Sequence, residues 1–255
     1  MIKLLYRITC TAILSLFLAS CSEDLSKMSI QEQSLHQPDR FSDDKSNDKR
    51  RKPKDILEFS NIKPGMTIID LLGGGGYYTE LFNYIVGEQG KVYIQNTSLF
   101  LRFSKEELDK RLKGNRLKNV IRIDSDFHDM KLPKDIDLMF IGLSYHDIYV
   151  TRDDKLLMAK REEFFPQIFA ALKPGGKLVI IDHAAKVGTG NSLSTKLHRI
   201  DEEWAIKDIE SAGFKLVKTL DVLRNPEDNY DLDIWNKKVF RKTDRFIHLY
   251  EKPKQ

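Results

Sequence analysis

Three short stretches of this 255-residue chain carry side chains able to move a proton: Tyr145-His146-Asp147, Asp182-His183 and Leu197-His198-Arg199. A histidine beside an acid suits that task, because imidazole titrates near neutrality and a carboxylate can orient it. His146 is the candidate base, Asp147 the group that could orient a partner, and Tyr145 a ring able to stack on a substrate; His183 and His198 fall in loops expected on the same rim. Taken singly, each histidine is more often structural, and the plain reading of Asp147, Arg199 and Asp201 is ion pairing and helix capping. A fourth stretch, residues 70–79, holds four consecutive glycines, Gly73 to Gly76, just after an apolar run. Such a turn lets backbone N–H groups and a helix N-terminus reach an anionic ligand; its other use is close strand–helix packing.

The elements that must position these groups alternate between strand and helix. Apolar, β-branched runs predict strands at 66–71, 91–95, 120–123, 136–142 and 177–181, with two more from 214 to about 220 and near 245–251. Between them, helices are expected at 77–86, at 104–113 behind a Ser104 cap with Glu107 three residues on, and at 153–172, where Pro166 is expected to kink or split the helix. Asp201-Glu202-Glu203 opens another, closed by Gly213. Strand, helix, strand in this rhythm means parallel pairing through right-handed crossovers, so the expected fold is an open, doubly wound α/β sheet. The glycine run then lies in the turn from the first strand to the first helix, at the carboxyl rim where such sheets bind ligands.

Two ligand classes compete for that turn. A dinucleotide fingerprint requires a third glycine or alanine where this chain has a larger residue, so that match fails. The first motif of class I S-adenosylmethionine-dependent methyltransferases is an acidic residue with glycines two, four and six positions on; from Asp70 these positions are Leu72, Gly74 and Gly76. Gly76-Tyr77-Tyr78-Thr79 resembles the turn of isoaspartyl and ubiquinone-type members, and Lys63-Pro64-Gly65-Met66 and Ala171-Leu172-Lys173-Pro174-Gly175-Gly176-Lys177-Leu178 resemble further signatures of the superfamily. Tyr145-His146-Asp147, Asp182-His183-Ala184-Ala185, Leu197-His198-Arg199-Ile200-Asp201 and Thr243-Asp244-Arg245-Phe246 together resemble a group of exported bacterial proteins called "predicted methyltransferases".

This resemblance, over about residues 54–252, implies a mostly parallel seven-stranded Rossmann-like sheet with its last strand antiparallel, and S-adenosyl-L-methionine as cofactor. On that mapping Asp70 and the backbone of Gly73, Gly74, Gly75 and Gly76 face the methionine end, and Asn96 stands where an acid normally meets the ribose, with Gln95 beside it. Asp126 takes the position near the adenine amine and Phe127 forms an apolar wall. Methyl transfer then occurs at the ends of strands four and five, with a base needed only where the nucleophile carries a proton. A metal-free site is expected; the alternative is a divalent cation on Asp147, Asp182 and His183.

The N-terminus frames the compartment. Residues 1–20 carry Lys3, Arg7 and a short apolar stretch, the pattern of a secretory signal, and Leu18-Ala19-Ser20-Cys21 resembles the bacterial lipobox, which implies a lipid on Cys21. Ser22 after it leans towards the outer membrane, with the domain facing the periplasm. Residues 21–53 read as a polar, flexible tether, whose Lys49-Arg50-Arg51-Lys52 could meet anionic head groups, although neighbouring aspartates dilute the charge. Residues 54–255 form the domain. Of two cysteines, Cys10 leaves with the signal and Cys21 is lipidated, so no thiol chemistry is expected. The net charge of +4 gives no reason to expect nucleic acid as a partner; a small molecule and a membrane anchor are the expected ones. Because S-adenosylmethionine is made in the cytoplasm, a second reading stands beside the enzyme: an envelope protein that keeps the fold to bind a small ligand without methylating.

Overall fold

Within Ile136–Gly142 the run Leu138-Met139-Phe140-Ile141 is apolar and buried without alternation, as a strand covered on both faces must be, with Asp137 at its entrance. In the computed structural model, which describes residues 25–152 and 159–254, Ile136–Gly142 is the central strand β4 of a seven-stranded sheet. The others are β1 (Thr67–Leu71), β2 (Lys91–Asn96), β3 (Val120–Asp124), β5 (Leu172–His183), β6 (Lys215–Thr219) and β7 (Arg245–Glu251), in the order β3-β2-β1-β4-β5-β7-β6. β7 runs antiparallel to both β5 and β6, and the remaining pairings are parallel, the topology that the sequence resemblance implies.

Helices α1 (Ile30–Leu35), α2 (Ser42–Arg51), α3 (Pro53–Ser60), α4 (Tyr77–Val86), α5 (Ser98–Leu112), α6 (Arg161–Ala171), α7 (Ser194–Leu197) and α8 (Glu202–Ser211) complete the described fold. Successive residues of each inner strand feed opposite cores. Ile68, Leu138, Phe140 and Val179 pack with Ile56, Leu81 and Phe82 on one face. Ile69, Met139, Ile141 and Ile180 pack with Phe164, Ile168 and Ile209 on the other.

Three expectations change. Helix α5 starts at Ser98, not at Ser104, because Thr97 caps it by accepting from the Phe100 N–H at 3.3 Å. Pro166 lies inside α6, as the sixth residue of Arg161–Ala171, and does not split the helix there. The part of residues 21–53 that is described, from Leu25 on, is not a free tether but carries α1, α2 and the start of α3. Its polar side chains are held by pairing: Arg40 with Asp48, Asp44 with Arg111, and Asp48 with the Tyr77 hydroxyl at 2.6 Å. The export segment 1–20 and Cys21 lie outside the described residues.

Candidate functional site

The glycine turn is built by its neighbours. Asp70, 2% exposed, lies beneath it and accepts from Thr79 Oγ1 at 2.5 Å; burial pushes its carboxyl up to about 6 although the Thr79 bonds oppose this. Leu72 stands at the motif's first glycine position and takes φ +55, the left-handed backbone a glycine would adopt without strain. A Cβ on Gly73 would meet Asp70 and Ile94 within 2.9 Å, one on Gly75 the Glu107 carboxylate at 2.4 Å, and one on Gly76 the Arg111 Cδ at 2.9 Å. Only at Gly74, φ +56, is the nearest atom as far as 4.0 Å, on Ser104. Close packing therefore explains Gly73 and Gly76; Gly75 faces only the movable end of Glu107, and Gly74 presents an open face.

The expected cofactor contacts are largely taken up by protein. Asp70 supports the turn from below rather than facing a ligand. Asn96, wholly buried, accepts from the Gly74 N–H at 2.8 Å and donates to the Gly74 carbonyl at 3.0 Å, so its amide is not free for a ribose. Gln95 is spent on Leu72 and Ser125. Asp126 Oδ1 accepts from both the N–H and the hydroxyl of Ser98 at 2.9 Å, and Phe127 packs edge-on against Phe164 in the core.

The three histidine-bearing loops meet at one rim. The His146 ring lies 5.4 Å from the His198 ring and 6.1 Å from that of His183, centre to centre. Asp182, fully buried, organises them: its Oδ1 sits 2.8 Å from His146 Nδ1 and accepts from the His183 N–H at 2.7 Å, while Oδ2 accepts from the His146 N–H at 2.6 Å. Burial works against a charge on His146, but Asp182 and Asp147 outweigh it and raise the imidazole to about 9. His183 is lowered well below its ordinary value, first by burial and then by the His146 charge; His198 is lowered for the same two reasons. One imidazolium is thus held between two neutral rings.

This redistributes the expected roles. His146 is protonated at neutral pH and is not the free base; its Nε2–H points to His198 Nδ1 at 3.3 Å. His183 Nδ1 lies 2.6 Å from Thr243 Oγ1, and in the tautomer that donates to Thr243 its Nε2 keeps a lone pair for a substrate proton. Tyr145 cannot stack on a substrate: it is fully buried, with its hydroxyl donating to Asp208, which also accepts from Tyr149 and Arg161. Asp147 lies 3.7 Å from His146 Nε2 and 4.0 Å from Arg152. The alternative cation set of Asp147, Asp182 and His183 is not assembled, because Asp182 is spent on the His146 ring and on two backbone N–H groups. Among the described residues, the potential ligand atoms that do lie within 4.8 Å of one another as a group of three belong to His146, Asp147 and His198. Arg199 pairs with Asp228 at 2.8 Å and Asp201 caps α8, the structural roles expected of them.

Sequence reasoning missed Arg111. Fully buried, it bonds the Gly75 carbonyl together with Asp44, Glu80 and Glu107, tying α2, α4 and α5 to the glycine turn. An arginine in an otherwise solvated helix face gave no signal of this. Thr243 and Arg245 stood in a quoted motif but without a role.

No protein-family model matches the chain. Among curated relatives, the ubiquinone/menaquinone biosynthesis C-methyltransferase UbiE of Shewanella piezotolerans is 28% identical over 129 residues, 49% of this chain and 46% of that protein. The chain spans about half the length of the curated relatives it matches. Among solved structures, a SAM dependent methyltransferase from Aquifex aeolicus superposes with a TM-score of 0.57 at 20% identity, covering 89% of this chain and 100% of that one. The [4+2]-cyclase SpnF superposes with a TM-score of 0.58 at 13% identity, covering 81% and 82%. The strand order, the antiparallel β7 and these superpositions establish the fold of the class I S-adenosylmethionine-dependent methyltransferases.

Proposed function

We propose that the chain is an S-adenosylmethionine-dependent methyltransferase of a small molecule, exported and held at the cell envelope, on the outer membrane, by a lipid on Cys21. The observation that carries the activity is the open face of Gly74 at the end of β1 on the same sheet rim as the histidine cluster at the ends of β4 and β5. UbiE-type relatives and the fold support it. Gly74 and the half-buried Asp126 fit a nucleoside ligand; Asn96 does not fit as its ribose anchor while it holds Gly74. S-adenosylmethionine, when bound, supplies a methyl group on a positive sulfonium. His183 Nε2 receives the proton of a substrate hydroxyl or amine, and the His146 imidazolium, fixed by Asp182, steadies the negative charge that develops. The reading is metal-free: Asp182, which a cation on Asp147, Asp182 and His183 would need, is engaged by the His146 ring and two backbone N–H groups.

A second reading, a ligand-binding protein that does not methylate, is favoured by one observation: the Asn96–Gly74 pairing replaces the ribose contact. Calorimetry of the full chain with S-adenosylmethionine and S-adenosylhomocysteine separates the two. The enzyme reading expects heat from at least one ligand, abolished by Gly74→Val with the circular dichroism unchanged. No heat from either at millimolar concentration puts the second reading ahead. Mass spectrometry of the exported protein checks the anchor: an acylated N-terminus lost in Cys21→Ser supports it, and an unmodified mature chain starting elsewhere overturns it.

A further inference from the structure

The basic run at the end of α2 and the arginine that opens β7 come from opposite ends of the chain to the same place. Arg245 lies opposite His183 in the β5–β7 register, is 7% exposed, and its Nη2 donates to the Arg50 carbonyl at 3.3 Å. Arg51 lies over the Tyr77 ring, 4.4 Å from its centre, and Arg50 donates to Asn47 Oδ1 at 2.9 Å. The Nε atoms of Arg51 and Arg245 are buried without any hydrogen-bond partner. Among the described residues, no carboxylate forms an ion pair with Arg50, Arg51 or Arg245. Other buried arginines have their acids: Arg40 has Asp48, Arg111 has Asp44 and Glu80, and Arg199 has Asp228.

Guanidinium groups gathered in a low-dielectric setting without an acid repel one another and keep unmet donors, so the arrangement calls for an anion. The repulsion is legible in Arg50, which burial, Arg51, Arg245 and Arg241 together push down to about 10. The cluster is also well placed. Arg51 lies over Tyr77, the residue that opens α4 directly after the glycine turn, and Arg245 lies opposite His183 of the histidine rim in the β5–β7 register. A guanidinium fork matches the paired oxygens of a carboxylate or phosphate. The burial of Arg245 suits a small molecule rather than a bilayer surface.

We propose that Arg50, Arg51 and Arg245 form a binding site for the carboxylate or phosphate of a small molecule, between the glycine turn and the histidine rim. The site stands on its unpaired donors and does not depend on methyl transfer. Two sources of the anion are distinguished by experiment: the amino-acid carboxylate of the cofactor, or an acidic substrate. The full chain is titrated with inorganic pyrophosphate at constant ionic strength, with S-adenosylhomocysteine, and with methylthioadenosine, which lacks the amino-acid end. Pyrophosphate should raise the melting temperature beyond the effect of sodium chloride at equal ionic strength. Arg245→Gln and Arg51→Gln should each weaken the responsible anion at least tenfold; Arg51, only half-buried, keeps the test open if Arg245→Gln does not fold. Loss of S-adenosylhomocysteine affinity with methylthioadenosine unchanged assigns the site to the cofactor. Loss of the pyrophosphate effect with S-adenosylhomocysteine unchanged assigns it to the substrate. A pyrophosphate effect without any nucleoside binding keeps the anion site and removes the methyltransferase reading. No effect of pyrophosphate beyond salt, with S-adenosylhomocysteine absent or unaffected by Arg51→Gln, overturns the site.

Discussion

Asn96 holds Gly74 by both its backbone groups, accepting from the N–H at 2.8 Å and donating to the carbonyl at 3.0 Å. An acid at this position, usual in the fold family, can accept but not donate. Asn96→Asp should therefore leave the buried Gly74 carbonyl without a donor beside a new charge, at a cost of about 1–3 kcal/mol. For a domain of this size that lowers the melting temperature by about 5 °C. Calorimetric melting measures this, and unchanged stability with tighter nucleoside binding would show that the side chain turns out to the ribose instead.

The charge on His146 gives stability a pH signature. Its pKa is raised from 6.5 to about 9 on folding, so the folded chain binds the proton more tightly. Its contribution is complete below pH 6.5 and is lost as pH rises through about 9. The stability difference between wild type and His146→Gln, from urea unfolding, should be largest near pH 6 and shrink by pH 9.5. For His183, lowered well below 6.5, the direction is opposite: burying it neutral costs stability as pH falls through 6.5. Wild type minus His183→Asn should thus become less favourable from pH 7 to pH 5. A His146 difference that is flat over this range would mean that the ring is neutral in the fold.

Tyr145 tests the boundary between site and scaffold. Tyr145→Phe removes one of three donors to the buried Asp208 and leaves Tyr149 and Arg161 in place. A loss of about 1 kcal/mol in stability is expected, with ligand affinity and any methyl transfer unchanged. A tenfold fall in turnover at constant stability would return Tyr145 to the chemistry.

The glycines of the turn should rank by what fills the space above each. Gly76→Ala forces an L-residue to φ +84, at about 1–2 kcal/mol, and also meets Arg111. Gly73→Ala presses on buried Asp70 and Ile94, at about 1–3 kcal/mol. Gly75→Ala meets only the end of Glu107, whose side chain is 53% exposed and able to swing aside, so it should cost under about 1 kcal/mol. Urea midpoints for the three variants check the order; Gly75→Ala as the worst would mean that Glu107 is fixed.

The sheet was legible because its inner strands β1, β4 and β5 are buried apolar runs rich in β-branched residues, while the edge strands β3 and β6, exposed or half-buried, still carry β-branched residues. The limits of β4, β7 and α4 follow the sequence reading to the residue. The meeting of His146, His183 and His198 followed from topology, since parallel strands send their loops to one rim. Which ring carries the proton did not, because it depends on Asp182 turning towards His146, a matter of rotamer rather than spacing. Asn96 was read at the correct strand end but with the wrong partner: an amide serves a backbone as readily as a sugar. The segment around α2 misled because its anchors are charged. Asp44, Asp48 and Arg40 read as solvated until Arg111 and Tyr77 are brought to them.

That folded segment shortens the leash. On a lipid at Cys21, a free chain over 22–53 could carry the domain up to about 115 Å from its attachment point. With the chain packed on the domain from α1 onward, the nine steps from Cys21 to Ile30 reach at most about 32 Å. The domain would then work in a thin layer against the bilayer, and whatever is dissolved in that leaflet would reach it more often than anything free in the surrounding volume.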